Sequence, residues 1–111
     1  MTRHALVLVL AASLGRALAA QPTTPPDARD RGPGRIDVSE YPAEQREHYV
    51  LFVDKCSKCH TVARPINSRF NAQEWKVYLK RMLRRPDCNT SVEQARQIYS
   101  FLKFYSERQG Q

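Results

Sequence analysis

The chain has little that would take it into a membrane or into a cysteine-stapled scaffold. Its longest apolar run falls far short of the roughly twenty residues a helix needs to cross a bilayer core. No permanent membrane span is expected. Cysteine is scarce and odd in number, three residues in 111, whereas a disulfide framework uses four, six or eight. Those thiols must serve something else. Strand-period alternation of apolar and polar residues is absent as well, which removes the sheet classes. Acidic residues are in deficit, since 11 Asp and Glu face 18 Lys and Arg for a formal net charge of +7. Acidic proteins, anionic lipid and nucleic acid are the partners that such a charge admits. The length leaves room for one domain and not two. With 41% hydrophobic and 26% charged residues, the balance is that of a soluble globule.

Residues 1–20 read as a secretory signal peptide. Arg3 and His4 precede an apolar run from Ala5 to Leu14, and the segment closes on the small residues Ala17-Leu18-Ala19-Ala20, a pattern that export machinery recognises and removes. Cleavage after Ala19 or after Ala20 is expected, which would carry away Arg3 and Arg16 and leave a basic chain in the oxidising periplasm. Nucleic acid is then out of reach as a partner. Residues 21–38 hold four of the seven prolines and alternate Asp with Arg, the composition of an extended, solvated linker. Residues 39–108 remain as the folding domain.

That domain shows helical spacing in three places, so an all-α bundle of about three helices is expected. A first helix from Pro42 to Cys59 places Tyr49, Phe52, Val53 and Cys56 on one face. Asn71 and Glu74 form a capping box for a second helix, along which Trp75, Tyr78, Leu79, Met82 and Leu83 make the clearest apolar stripe in the chain. Pro86 should stop that helix near Arg85. Thr90 and Glu93 open a third in the same way, with Ala95, Ile98, Tyr99, Leu102 and Tyr105 on its apolar face and its end near Glu107. Three short helices make a thin core, and domains this small often rely on a metal, a disulfide or a cofactor.

Cys56-Ser57-Lys58-Cys59-His60 is the CxxCH pattern that attaches c-type haem. At the chain's own Cys and His frequencies it would arise by chance in roughly two of a thousand such sequences. On a helical turn, residues i and i+3 present both thiols to one side, where they meet the two vinyl groups of a porphyrin, and His60 supplies an imidazole to the iron. The thiols are then consumed as thioethers, which accounts for an odd count in an exported chain. Three rivals are weaker. A zinc site from Cys56, Cys59, Cys88 and His48 leaves His60 unexplained. A thioredoxin-like pair lacks its βαβ setting, and a Cys56–Cys59 disulfide closes a strained ring. For the iron's sixth position Met82 is the sole methionine left after Met1 departs, with His48, Cys88 or an open position as alternatives. Trp75, Arg64 and Arg69 are candidate partners for the haem propionates, and the Pro65 carbonyl for the second nitrogen of His60.

From about His48 to Tyr105 the chain resembles the class I monohaem c-type cytochromes. Phe52 stands four positions before the first cysteine, where that family has an aromatic residue, and Ile98-Tyr99-Ser100-Phe101-Leu102-Lys103 is similar to its C-terminal helix pattern. Trp75 and Met82 match the spacing of a short subgroup whose methionine ligand lies on a helix after a tryptophan. His48 departs from the Gly or Ala expected eight positions before the first cysteine. The resemblance implies a small bundle around one covalent haem c, with N- and C-terminal helices crossing. It also implies a carrier of single electrons between a dehydrogenase or respiratory donor and an acceptor, not an enzyme in itself, acting as a monomer or as the cytochrome subunit of an oxidoreductase. The competing class is a haem-based gas sensor or haem enzyme with an open sixth position. Lys76, Lys80, Arg81, Arg84 and Arg85 lie away from the apolar stripe of their helix, a surface suited to an acidic redox partner.

Overall fold

The computed structural model describes residues 25–58 and 60–111; the expected signal peptide and Cys59 lie outside them. The described chain is all-helical. It consists of a 3-10 turn at Ala28–Arg31 followed by α1 (Ala43–Cys56), α2 (Ala63–Ile66), α3 (Ala72–Leu83) and α4 (Val92–Arg108). No described helix is long and apolar enough to cross a membrane.

Helix α4 is the centre of the packing, with α1 on one flank and α3 on the other. Its face Ala95, Ile98, Phe101, Leu102 is buried along its whole length. Against α1, Phe101 stacks on Phe52 with ring centroids 5.6 Å apart, and Tyr49 closes over Phe101 at 5.2 Å. Full burial of such a side chain is worth about 1.5–3 kcal/mol, so these rings supply much of the attraction between α1 and α4. Polar groups also enter that contact. Gln45 Nε2 donates to Ser100 Oγ at 3.1 Å, while Gln45 Oε1 and His48 Nδ1 are buried without a partner. Against α3, the tie is Trp75, whose Nε1 donates to Ser106 Oγ of α4 at 2.9 Å and whose ring meets Phe70 and Tyr78 edge to face.

Both capping boxes form. Asn71 accepts from the Glu74 amide and Glu74 accepts from the Asn71 amide, each at 2.9 Å. At α4 the box sits one residue later than the sequence reading placed it, on Ser91 and Gln94, which releases Glu93 to pair with Arg96. Helix α1 stops at Cys56, capped by Ser57, and does not carry helical geometry through the motif.

One correction concerns the presumed linker. From Asp27 onward it is a strap laid against α2, and three anchors replace the solvation expected of it. Arg64 makes a bidentate pair with Asp30, at 3.0 and 2.6 Å. Asn67 Nδ2 donates to the Arg29 carbonyl at 3.0 Å and to the Pro33 carbonyl at 3.1 Å. Ile36 is buried, and its amide donates to Tyr49 Oη. Gly32 is required by the second anchor, because a Cβ there would come within 2.4 Å of the Asn67 side chain.

Candidate functional site

A partly enclosed cavity of about 200 Å³ lies between α1, α3 and α4. Phe52, Leu79, Ile98 and Leu102 form its apolar walls, one contribution from each of the three long helices and a second from α4. This is where their buried faces diverge. The C-terminal end of α1 delivers Cys56 to the cavity, the connection to α2 delivers His60, α2 itself delivers Pro65, and α3 delivers Trp75, Tyr78 and Met82. The loop from α3 to α4 adds Cys88, Asn89 and Thr90.

Cys56, His60, Met82 and Trp75 were singled out in the sequence, and all four border this one space. Burial pushes the Cys56 thiol up to about 12, with the nearby Cys88 adding to the effect. The thiol is therefore protonated and uncharged at neutral pH, which suits its apolar surroundings. Cys88 is half-buried with Sγ 3.7 Å from the Thr90 carbonyl oxygen. Among the described residues no group of three His, Cys, Asp or Glu converges as a metal cage would, and His48 does not line the cavity.

His60 Nδ1 lies 2.9 Å from the Thr61 carbonyl oxygen. A carbonyl can only accept, so Nδ1 carries the proton, and Nε2 is the nitrogen that the neutral ring offers to a metal. The Pro65 carbonyl expected for this role is occupied instead by the Ser68 amide at 3.1 Å and the Ser68 hydroxyl at 2.7 Å. Local turn geometry places the nearer acceptor first.

Of the three candidate propionate partners, Trp75 and Arg64 are engaged elsewhere, and Arg69 does not border the cavity. Trp75 Nε1 donates inward to Ser106 Oγ at 2.9 Å. Arg64 is held by Asp30 and lies 3.7 Å from Asp27, and Arg69 is an exposed residue whose left-handed backbone, φ 60°, turns the chain into α3. The cations on the cavity wall are Lys55, Lys58 and Arg85. Two of them flank or interrupt the CxxCH motif, a signal the sequence offered. The Ser106 contact had none, because a serine thirty-one residues from Trp75 is joined to it by the packing of α3 on α4.

No family model, no curated protein and no solved structure matches this chain.

Proposed function

We propose that this chain is an exported monohaem c-type cytochrome that carries single electrons. The observation in its support is that Cys56 and His60 of the CxxCH motif and Met82 of α3 border a single, mainly apolar cavity. The donor set fits the group. A thiol, an imidazole offering Nε2 and a thioether are the attachment and axial chemistry of haem c. Cys56 and Cys59 would hold it through thioethers, His60 and Met82 would ligate it, and Lys55, Lys58 and Arg85, in place of Trp75, Arg64 and Arg69, would face its carboxylates. When bound, the haem supplies a one-electron iron couple.

The protein's own part is to keep that couple dry and its ligands fixed. Phe52, Leu79, Ile98 and Leu102 exclude water, and a low dielectric disfavours the more highly charged oxidised state, which raises the potential. The His60 Nδ1–H bond to Thr61 holds the tautomer. Met82 as a ligand would fill the position that a gas sensor or a haem enzyme must leave open, and its place on the cavity wall favours the carrier over that alternative. Lys76, Lys80, Arg81, Arg84 and Arg85 are all exposed on or just beyond α3. They supply the docking surface for an acidic redox protein, and periplasmic export through the signal peptide gives such a carrier its place of work.

The test is the purified full-length gene product. Denatured protein should keep its haem mass and its colour through acid–acetone extraction. Reduced protein should not bind CO, whereas Met82→Ala should bind it and lose the far-red sulfur-to-iron absorption. Extractable colour would refute covalent attachment, and CO binding by the parent chain would move the reading to the sensor or enzyme class.

A further inference from the structure

The strap laid over α2 ends, through a chain of four hydrogen bonds, on the ring of His60. Asp30 grips the Arg64 side chain with two hydrogen bonds. The amide of that same Arg64 donates to the Thr61 carbonyl oxygen at 3.4 Å, and this oxygen is the acceptor for His60 Nδ1 at 2.9 Å. One carbonyl thus joins the strap to the imidazole. Asn67 clamps the far side, with Nδ2 on the Arg29 and Pro33 carbonyls of the strap and on Ala63 of α2 at 2.7 Å. The Asp30 carboxyl is held below its ordinary value mainly by its Arg64 hydrogen bonds, and His60 also contributes, so the carboxylate lies within electrostatic reach of the ring.

We infer that the strap is a positioning device for the proximal histidine, with Asp30 and Arg64 as its positioning residues; this rests on the haem reading above. The turn His60–Arg64 has few other restraints. Helix α2 is a single turn of four residues with no side-chain cap, and Thr61 is exposed. Left to itself, such a turn would let the Thr61 carbonyl swing toward water and leave the imidazole free to rotate about its bond to Cβ. By fixing Arg64, the strap fixes the direction of the carbonyl, which sets the tautomer and the plane of the ring. A ligand whose outer partner is lost commonly costs the site tenfold or more.

The experiment uses the full-length haem-loaded protein, labelled with 15N-histidine and reduced so that the iron is diamagnetic. The Nδ1–H proton of His60 should exchange slowly in the parent chain. Asp30→Asn and Arg64→Gln should each accelerate that exchange by about tenfold or more with covalent haem content unchanged, and Arg64→Lys should recover part of the protection. A merely structural role for the strap would lower the melting temperature without moving Nδ1–H exchange. Unchanged exchange in Asp30→Asn and Arg64→Gln would therefore overturn the inference. If Arg64→Gln fails to fold, Asp30→Asn, which conserves side-chain size, decides the matter alone. Absence of covalent haem from the parent chain would overturn the haem reading and this inference with it, whereas exchange in a haem-loaded parent that neither substitution accelerates would overturn the inference alone.

Discussion

Ser106 is a hydroxyl with no exposure, set where α4 meets α3. It accepts from Trp75 Nε1 at 2.9 Å, and its single proton has two acceptors at 2.8 Å, the Phe70 and Leu102 carbonyls. The Trp75 indole can be fully buried because its N–H is satisfied there. Ser106→Ala leaves that donor without a partner in a dry core, a loss of about 2 kcal/mol. Trp75→Phe removes the donor together with the need for it, and the hydroxyl keeps a carbonyl, so the polar part of its cost is about 1 kcal/mol. Urea denaturation of the two variants should give a lower midpoint for Ser106→Ala once the smaller volume of Phe is allowed for. Equal stability of Ser106→Ala and the parent would mean the hydroxyl is dispensable. At this scale the sequence was readable where chemistry is local. Cys56, His60 and Met82, each marked by a local pattern, border one cavity, but the direction of the Trp75 N–H depends on a residue of another helix.

The helices themselves were legible because each long one carries a period, and two of the three carry a cap. Both boxes satisfy amides that would otherwise be unpaired at a helix start. Their registers differ in clarity. Asn71 and Glu74 leave one choice, whereas Thr90 and Ser91 are adjacent cap formers with Glu93 and Gln94 three residues beyond each, and the fold uses Ser91. Ser91→Ala should then cost about 1 kcal/mol and Thr90→Ala close to nothing, as measured by chemical denaturation. The reverse order would restore the register read from sequence. What composition hid was the strap. Proline, glycine and paired charges look solvated in one dimension, yet Asp30 meets Arg64 and Pro33 meets Asn67 only after the chain has turned back on itself. Short α2 was missed for a related reason. Four residues are too few to show a period, and Ala63, Pro65 and Ile66 are buried by what folds over them.

Across the whole molecule the charge is unevenly spent. Asp27 and Asp30 of the strap are taken up by Arg29 and Arg64, and Glu93 and Glu107 by neighbours on α4. Lys76, Lys80, Arg81 and Arg84 have no ion pair among the described residues, and Arg85 has only the exposed Asp87 at 3.3 Å. A cluster of positive charge thus lies on the outer face of α3, the helix that brings Met82 to the cavity, and Arg85 belongs to both the face and the cavity wall. A field of this kind acts on encounter and not on driving force, because exposed charges are screened at a distance yet sum over an approaching partner. Exchanging two of these cations for acids changes the local charge by four units while leaving the cavity walls intact. Arg81→Glu with Arg84→Glu should slow reaction with an anionic probe such as hexacyanoferrate by about tenfold or more at low ionic strength. With the cationic hexaammineruthenium the same variant should react faster. Both differences should shrink as salt shortens the screening length to about 3 Å at 1 M, and the midpoint potential should stay close to that of the parent. Stopped-flow kinetics over a salt series checks this. Rates that ignore both salt and substitution would mean that α3 turns its charge to solvent for solubility alone, and that the partner docks elsewhere on the rim of the cavity.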